Sequence, residues 1–208
     1  MDLQTMRTEV QARGFSHVTT ALIDRWINLT YQDTNNRFPW PFLETNTSGT
    51  PPITIADFGH AISVVNLTDG LPLTQRDIRL LQDIDPALSL SGKSRHWYRD
   101  GADSNKIKVW PTGAGTVQVR YIKVAADLGT DVSVPLSPLA FHYLYVEGAC
   151  MRCYRRANEG EAAADCANEI EVGIAKMAEQ LLPPILEPRI PEHPAAATSP
   201  EDQQPPEA

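Results

Sequence analysis

The chain has 208 residues, with 18 Lys and Arg against 26 Asp and Glu, for a formal net charge of −8. That balance excludes non-specific nucleic-acid binding, which needs basic residues in excess, and it repels polyphosphate. Hydrophobic residues make up 42%, enough for one core or two small ones, and the three cysteines are too few and too clustered for a disulfide framework.

Residues 2–13 place Leu3, Met6 and Val10 at helical spacing, and Gly14 stops that helix. A second helix starts at Thr19 or Thr20, with Leu22, Ile23, Trp26, Ile27 and Leu29 on its apolar face, and ends at Asn35-Asn36. The prolines flanking Trp40 force an extended exit, and Trp26 and Trp40 read as core.

From Ser48 the pattern turns to strands. Ile53-Thr54-Ile55 and Ala61-Ile62-Ser63-Val64-Val65 are followed by a turn over 68–72. Residues 74–84 predict a short helix capped by Thr74 and closed before Pro86. Strands resume at 95–98, 106–110 and 116–122, with turns at Asp100-Gly101 and 111–115, and Val117, Val119 and Tyr121 share one face. The expectation is an antiparallel meander, as a small sheet or sandwich.

Two helices close the chain. Ser137 is the expected N-cap, with Pro138 at the first helical position. The run from Leu139 to Tyr154 is apolar almost all round, so it is buried in the core or by neighbouring subunits. Arg152, Arg155 and Arg156 end it favourably for its dipole, and Glu159-Gly160 breaks it. Ala163, Cys166, Ile170, Ile174, Met177 and Leu181 stripe a final helix that packs back on its predecessor. Residues 183–208 are rich in Pro, Ala and Glu and read as an extended arm, with Ile185, Leu186 and Ile190 as spaced apolar anchors beside Arg189.

The expected fold class is α+β: a helical bundle from the N- and C-terminal helices, an inserted antiparallel β-sheet or sandwich, and an extended C-terminal arm. The parts are 1–44, 45–135, 136–182 and 183–208. Met1-Asp2-Leu3-Gln4-Thr5 lacks the basic-then-apolar pattern of a secretory signal, and no stretch reaches the about 18 apolar residues of a membrane span.

Candidate chemistry is sparse. Cys150-x-x-Cys153 suggests half a zinc site, with Cys166 and His142 as completions, but both cysteines fall inside an apolar helix and no second pair follows. Gly113-Ala114-Gly115 joins two strands and is a hairpin turn. Asp83-x-Asp85 and Glu169-x-Glu171 sit at a helix end and on a solvated face. No catalytic, cofactor or metal residue is assigned. Arg152, Arg155 and Arg156, with Lys106, Lys108, Arg120 and Lys123, make a basic patch better suited to acidic residues of a neighbouring subunit than to nucleic acid.

Three opening segments resemble the start of tailed-phage head–tail adaptor proteins: Leu3-x-x-Met6-Arg7-x-Glu9-Val10-x-Ala12-Arg13-Gly14-Phe15, Arg25-Trp26-Ile27-Asn28-x-x-Tyr31 and Trp40-Pro41-Phe42-Leu43-Glu44. Val109-Trp110-Pro111, Val119-Arg120-Tyr121-Ile122-Lys123 with Asp127-Leu128, and Gly148-Ala149-x-x-x-x-Tyr154-Arg155-Arg156 continue that pattern in order, over residues 1–180. The resemblance implies a structural virion protein of the neck, assembled in the host cytoplasm. It implies a homo-oligomeric ring, usually a dodecamer, beneath the portal protein and above a downstream tail or neck protein. DNA would pass through the channel without specific binding, with no membrane and no cofactor involved. On this reading Ile185, Leu186, Arg189 and Ile190 dock on the portal or an adjacent subunit, while Tyr143, Tyr145, Arg152, Arg155 and Arg156 meet neighbouring subunits. The alternatives are a tail-completion or terminator ring, and a monomeric α+β ligand-binding module using exposed Trp97, Tyr98 and Trp110.

Overall fold

The computed structural model describes residues 1–101, 103–113 and 115–183. The fold is α+β. Four helices from the two ends of the chain form a bundle, and the middle of the chain forms two four-stranded sheets that share a core.

Helix α1, Leu3–Val10, is capped by Asp2, whose Oδ1 accepts from the Thr5 amide at 2.8 Å. Leu3, Met6 and Val10 all point inward. A wide turn over Gln11–Phe15 follows, with Gly14 at φ +100, a conformation glycine adopts without cost. Helix α2, Thr20–Arg37, ends before Phe38, which the following Pro39 holds extended. Its inward face differs from the apolar stripe in the sequence. Ile23, Ile27, Thr30, Tyr31, Thr34 and Asn35 are buried, Leu29 is exposed, and Trp26 is half-buried.

The rotation has a physical cause. Helix α4, Tyr143–Arg156, presents Gly148 to α2, and the missing side chain lets Thr30 sit against the α4 backbone. Thr30 Oγ1 then donates to the Trp26 carbonyl at 3.0 Å and accepts from Arg152 at 2.7 Å, so its burial leaves nothing unpaired. The final helix α5, Gly160–Leu181, packs against α4 at Gly173, with Ala163, Cys166, Ile170, Ile174 and Met177 inward. The central position of α4 explains its nearly all-apolar sequence: its own bundle buries it on most sides. Ser137 does not cap this helix. A short turn over Leu139–Phe141 precedes it, and the Ser137 hydroxyl pairs with the Tyr145 hydroxyl at 2.7 Å.

The strands are β1 (Glu44–Gly49), β2 (Ile53–Thr54), β3 (Phe58–Asn66), β4 (Leu71–Pro72), β5 (Thr74–Gln75), β6 (His96–Asp100), β7 (Asp103–Trp110) and β8 (Val117–Lys123). One sheet has the order β1-β8-β3-β4 and the other β2-β7-β6-β5. Val117, Val119 and Tyr121 of β8 face Ile53, Trp97, Ile107 and Val109 of the second sheet across one core. Two expectations are corrected here. The pairing is not wholly antiparallel, because β5 runs parallel to β6. The short helix α3, Ile78–Ile84, is capped by Asp77 rather than Thr74, which is drawn into β5.

Helix α3 covers the outer face of β6 and β7 through Leu81, Tyr98 and Trp110. The segment that returns from β8, residues 124–137, belongs to the bundle: Ile122, Ala125 and Leu128 join the helical core. Among the described residues no helix is long and apolar enough to cross a membrane.

Candidate interaction surface

The basic residues expected to form one patch serve separate local roles. Arg152 Nη1 donates to Thr30 Oγ1 at 2.7 Å and to the Gly148 carbonyl at 2.9 Å, and its Nη2 lies 3.4 Å from Asp33. It therefore clamps α2 to α4. Arg120 pairs with Glu44 across β8 and β1, and Lys108 with Asp100 at 3.1 Å. Arg155 and Arg156 stand exposed at the end of α4.

Tyr145 is corrected outright as a contact residue. It is 0% exposed, with its ring edge-on to Tyr31 at 5.3 Å, so it has no surface to offer another subunit. Tyr143 is half-buried between α4 and α5, beside Gly173. Ile185, Leu186, Arg189 and Ile190 lie outside the described residues.

The cysteines offer little chemistry. All three are free and buried, and burial pushes the Cys150 thiol up to about 12 and those of Cys153 and Cys166 up to about 11. At neutral pH they stay protonated and poorly nucleophilic. Among the described residues no three His, Cys, Asp or Glu side chains group to hold a metal. The aromatic cluster that a ligand-binding module needs is also taken up internally. Trp97, Tyr98 and Trp110 are 6, 6 and 8% exposed, and the Trp110 indole donates to Asp85 at 3.0 Å.

The surface offers two features on the bundle. The first is a strap over 129–137, which opens with a turn in which the Ser133 amide donates to the Thr130 carbonyl at 2.9 Å and then runs on outside any helix or sheet. Its backbone is tied to α1 by the Leu3 amide on the Ser133 carbonyl (2.9 Å) and the Gln4 amide on the Asp131 carbonyl (3.0 Å). Just before it, Asn28 brackets Leu128 with bonds of 2.7 and 3.2 Å, and Gln32 donates to the Ala125 carbonyl. Along the strap Ser133, Pro135 and Ser137 turn inward, while Val132, Val134 and Leu136 turn outward at 76, 55 and 43% exposure. Leu139 continues that row at 68%. Four large apolar side chains thus stand exposed within the stretch 132–139, a candidate contact surface. The alternation Val132-Ser133-Val134-Pro135-Leu136 is a readable period-two signal, although it belongs to no sheet.

The second feature is a cleft of about 230 Å³ between α2, α4 and α5. Met151, Ile170 and Ile174 floor it, and Arg37 and Arg155 stand at its rim. Thr34 lines it with a hydroxyl that is buried and has no hydrogen-bond partner among the described residues. Arg37 closes one edge through a two-pronged pair with Glu171 at 2.6 and 2.7 Å.

The family model described as SU10 adaptor protein matches residues 1–184. No curated protein matches the chain.

Proposed function

We propose that this chain, which belongs to the SU10 adaptor protein family of phage head–tail adaptors, forms a ring beneath the portal that extends the DNA channel and joins capsid to tail. The observation that carries the reading is the family match over nearly the whole described chain. The physical features agree with it. An adaptor needs surfaces rather than reactive groups, and the cysteines are protonated while the exposed apolar row has no cover among the described residues. The −8 charge suits a conduit through which DNA must slide without being held. The working site is the virion neck, the function is structural rather than catalytic, and copies reach it from the host cytoplasm.

Residues 183–208 are the portion we assign to the portal, through Ile185, Leu186, Arg189 and Ile190. Among the described residues, the bundle and sandwich cores are built from residues up to Leu182. A chain truncated after Leu182 should therefore fold with an unchanged thermal midpoint yet fail to join DNA-filled heads in a complementation assay. Normal head joining by the truncated chain would remove the arm from portal binding.

A further inference from the structure

The strap and the cleft lie on opposite sides of α2. Asn28, Tyr31 and Gln32 face the strap side: Asn28 and Gln32 hold the chain that leads into it, and the Tyr31 hydroxyl accepts from the Leu136 amide at 3.2 Å. Thr30, Asp33, Thr34 and Arg37 face the cleft. At about 100° per residue these two sets are centred about 160° apart on the helix. A protruding row on one side and a recess on the other is the geometry of a head-to-tail contact, which closes into a ring when repeated by rotation.

The chemistry of the two surfaces matches as well. Residues 124–142 contain no Lys or Arg, and Asp127 and Asp131 precede the outward row, Asp131 already paired with Arg7 at 2.9 Å. The cleft is lined by Arg37, Arg152 and Arg155 together with Asp33 and Glu171. Glu171 takes up Arg37 and Asp33 lies by Arg152, while Arg155 forms no ion pair with another described residue and is the cation left to meet an acidic strap. The cleft floor is apolar, as the outward valines and leucine require. Val132 and Val134 donate no backbone hydrogen bond to another described residue.

We infer that Val132, Val134 and Leu136 of one copy seat in the α2–α4–α5 cleft of the next copy, and that this contact is the repeating joint of the ring. The inference rests on the ring reading above and specifies its interface. The joint is heterologous, so each copy uses its strap once and its cleft once.

The test uses the full chain, assembled alone or on its portal, and reads oligomer mass and cross-links. Val134→Arg replaces an exposed side chain and sets a cation against Arg37 and Arg155. It should leave the thermal midpoint unchanged and abolish the ring. Val134→Cys combined with Asp33→Cys, a residue at the cleft rim, should give a ladder of oxidised oligomers. A mixture of the two single variants should stop at dimers, and the buried native cysteines stay out of the reaction. Intact rings with no ladder and no effect of Val134→Arg would overturn the inference and leave the ring standing. Absence of any ring, free or portal-bound, would remove the ring reading and the joint with it. An intrachain link between Val134→Cys and Leu186→Cys would assign the strap to residues 184–208 of its own chain and also overturn the inference.

Discussion

His142 sits where the chain's first residue meets the start of α4. It is 1% exposed, with Nε2 2.8 Å from the Ser137 carbonyl and Nδ1 2.9 Å from the Met1 amine. The Ser137 carbonyl takes the Nε2 proton, while Nδ1 faces both the Met1 amine and, at 3.1 Å, the Met1 carbonyl; burial favours the neutral ring. Burial lowers its pKa, and the Met1 positive charge adds to the effect. Below about 6.5, the usual histidine value, the unfolded chain takes up a proton that the folded chain refuses. The stability that the neutral ring provides is therefore full above that pH and is lost as pH falls toward the lowered value. The thermal midpoint should drop more steeply between pH 7 and pH 5 in the parent than in His142→Gln; parallel slopes would contradict this assignment. Nothing local in the sequence marks the Nδ1 side of His142, because its partner there, Met1, comes from chain that only the fold brings near. Cys150-x-x-Cys153 shows the converse: its spacing is visible in the sequence, and its inertness follows from an apolar helix buried from all sides.

At the scale of elements, two glycines set how closely the bundle helices approach. A Cβ at Gly148 would lie 2.6 Å from the Thr30 Cβ, while one at Gly173 would lie 2.5 Å from the Tyr143 hydroxyl oxygen. Thr30 is a short β-branched residue fixed by hydrogen bonds on a packed helix, so it has nowhere to move. Tyr143 and Leu144 present the far ends of longer side chains, which can swing aside. Gly148→Ala should cost about 1–3 kcal/mol in urea unfolding, the usual range for overpacking. Gly173→Ala should cost less, and the reverse order would show that α5, not α2, is the tighter partner of α4. The same contact limits what periodicity can reveal. The bundle helices are legible from apolar spacing, but the inward face of α2 is not, since Thr30 is buried only because Gly148 admits it. Strand β1 reads as polar loop because Glu44-Thr45-Asn46-Thr47-Ser48-Gly49 has no apolar alternation. It is fixed instead by a continuous antiparallel register with β8, from Glu44 against Ile122 to Gly49 against Val117. Thr74 looks like a cap because it precedes an apolar run, yet Asp77 stands closer to that run and takes the role.

At the scale of the molecule, the two ends of the chain make one body and the middle makes another. The bundle core joins Leu3 to Met177, while the sandwich core runs from Ile53 to Tyr121. The division into terminal helices and a β middle is visible in the change of hydrophobic period near Ser48 and again near Ser137. That the ends pack together is not, because no local pattern reports contacts over such separations. The row at Val132, Val134 and Leu136 is exposed in the single chain, and the proposed joint between copies would cover it. We propose that this adaptor works as a ring on the portal. Native mass spectrometry of the purified chain, alone and mixed with its cognate portal, tests it most directly. A ring, or a portal complex with one copy per portal subunit, is the expected result. A persistent 23.0 kDa monomer that ignores the portal would contradict the account.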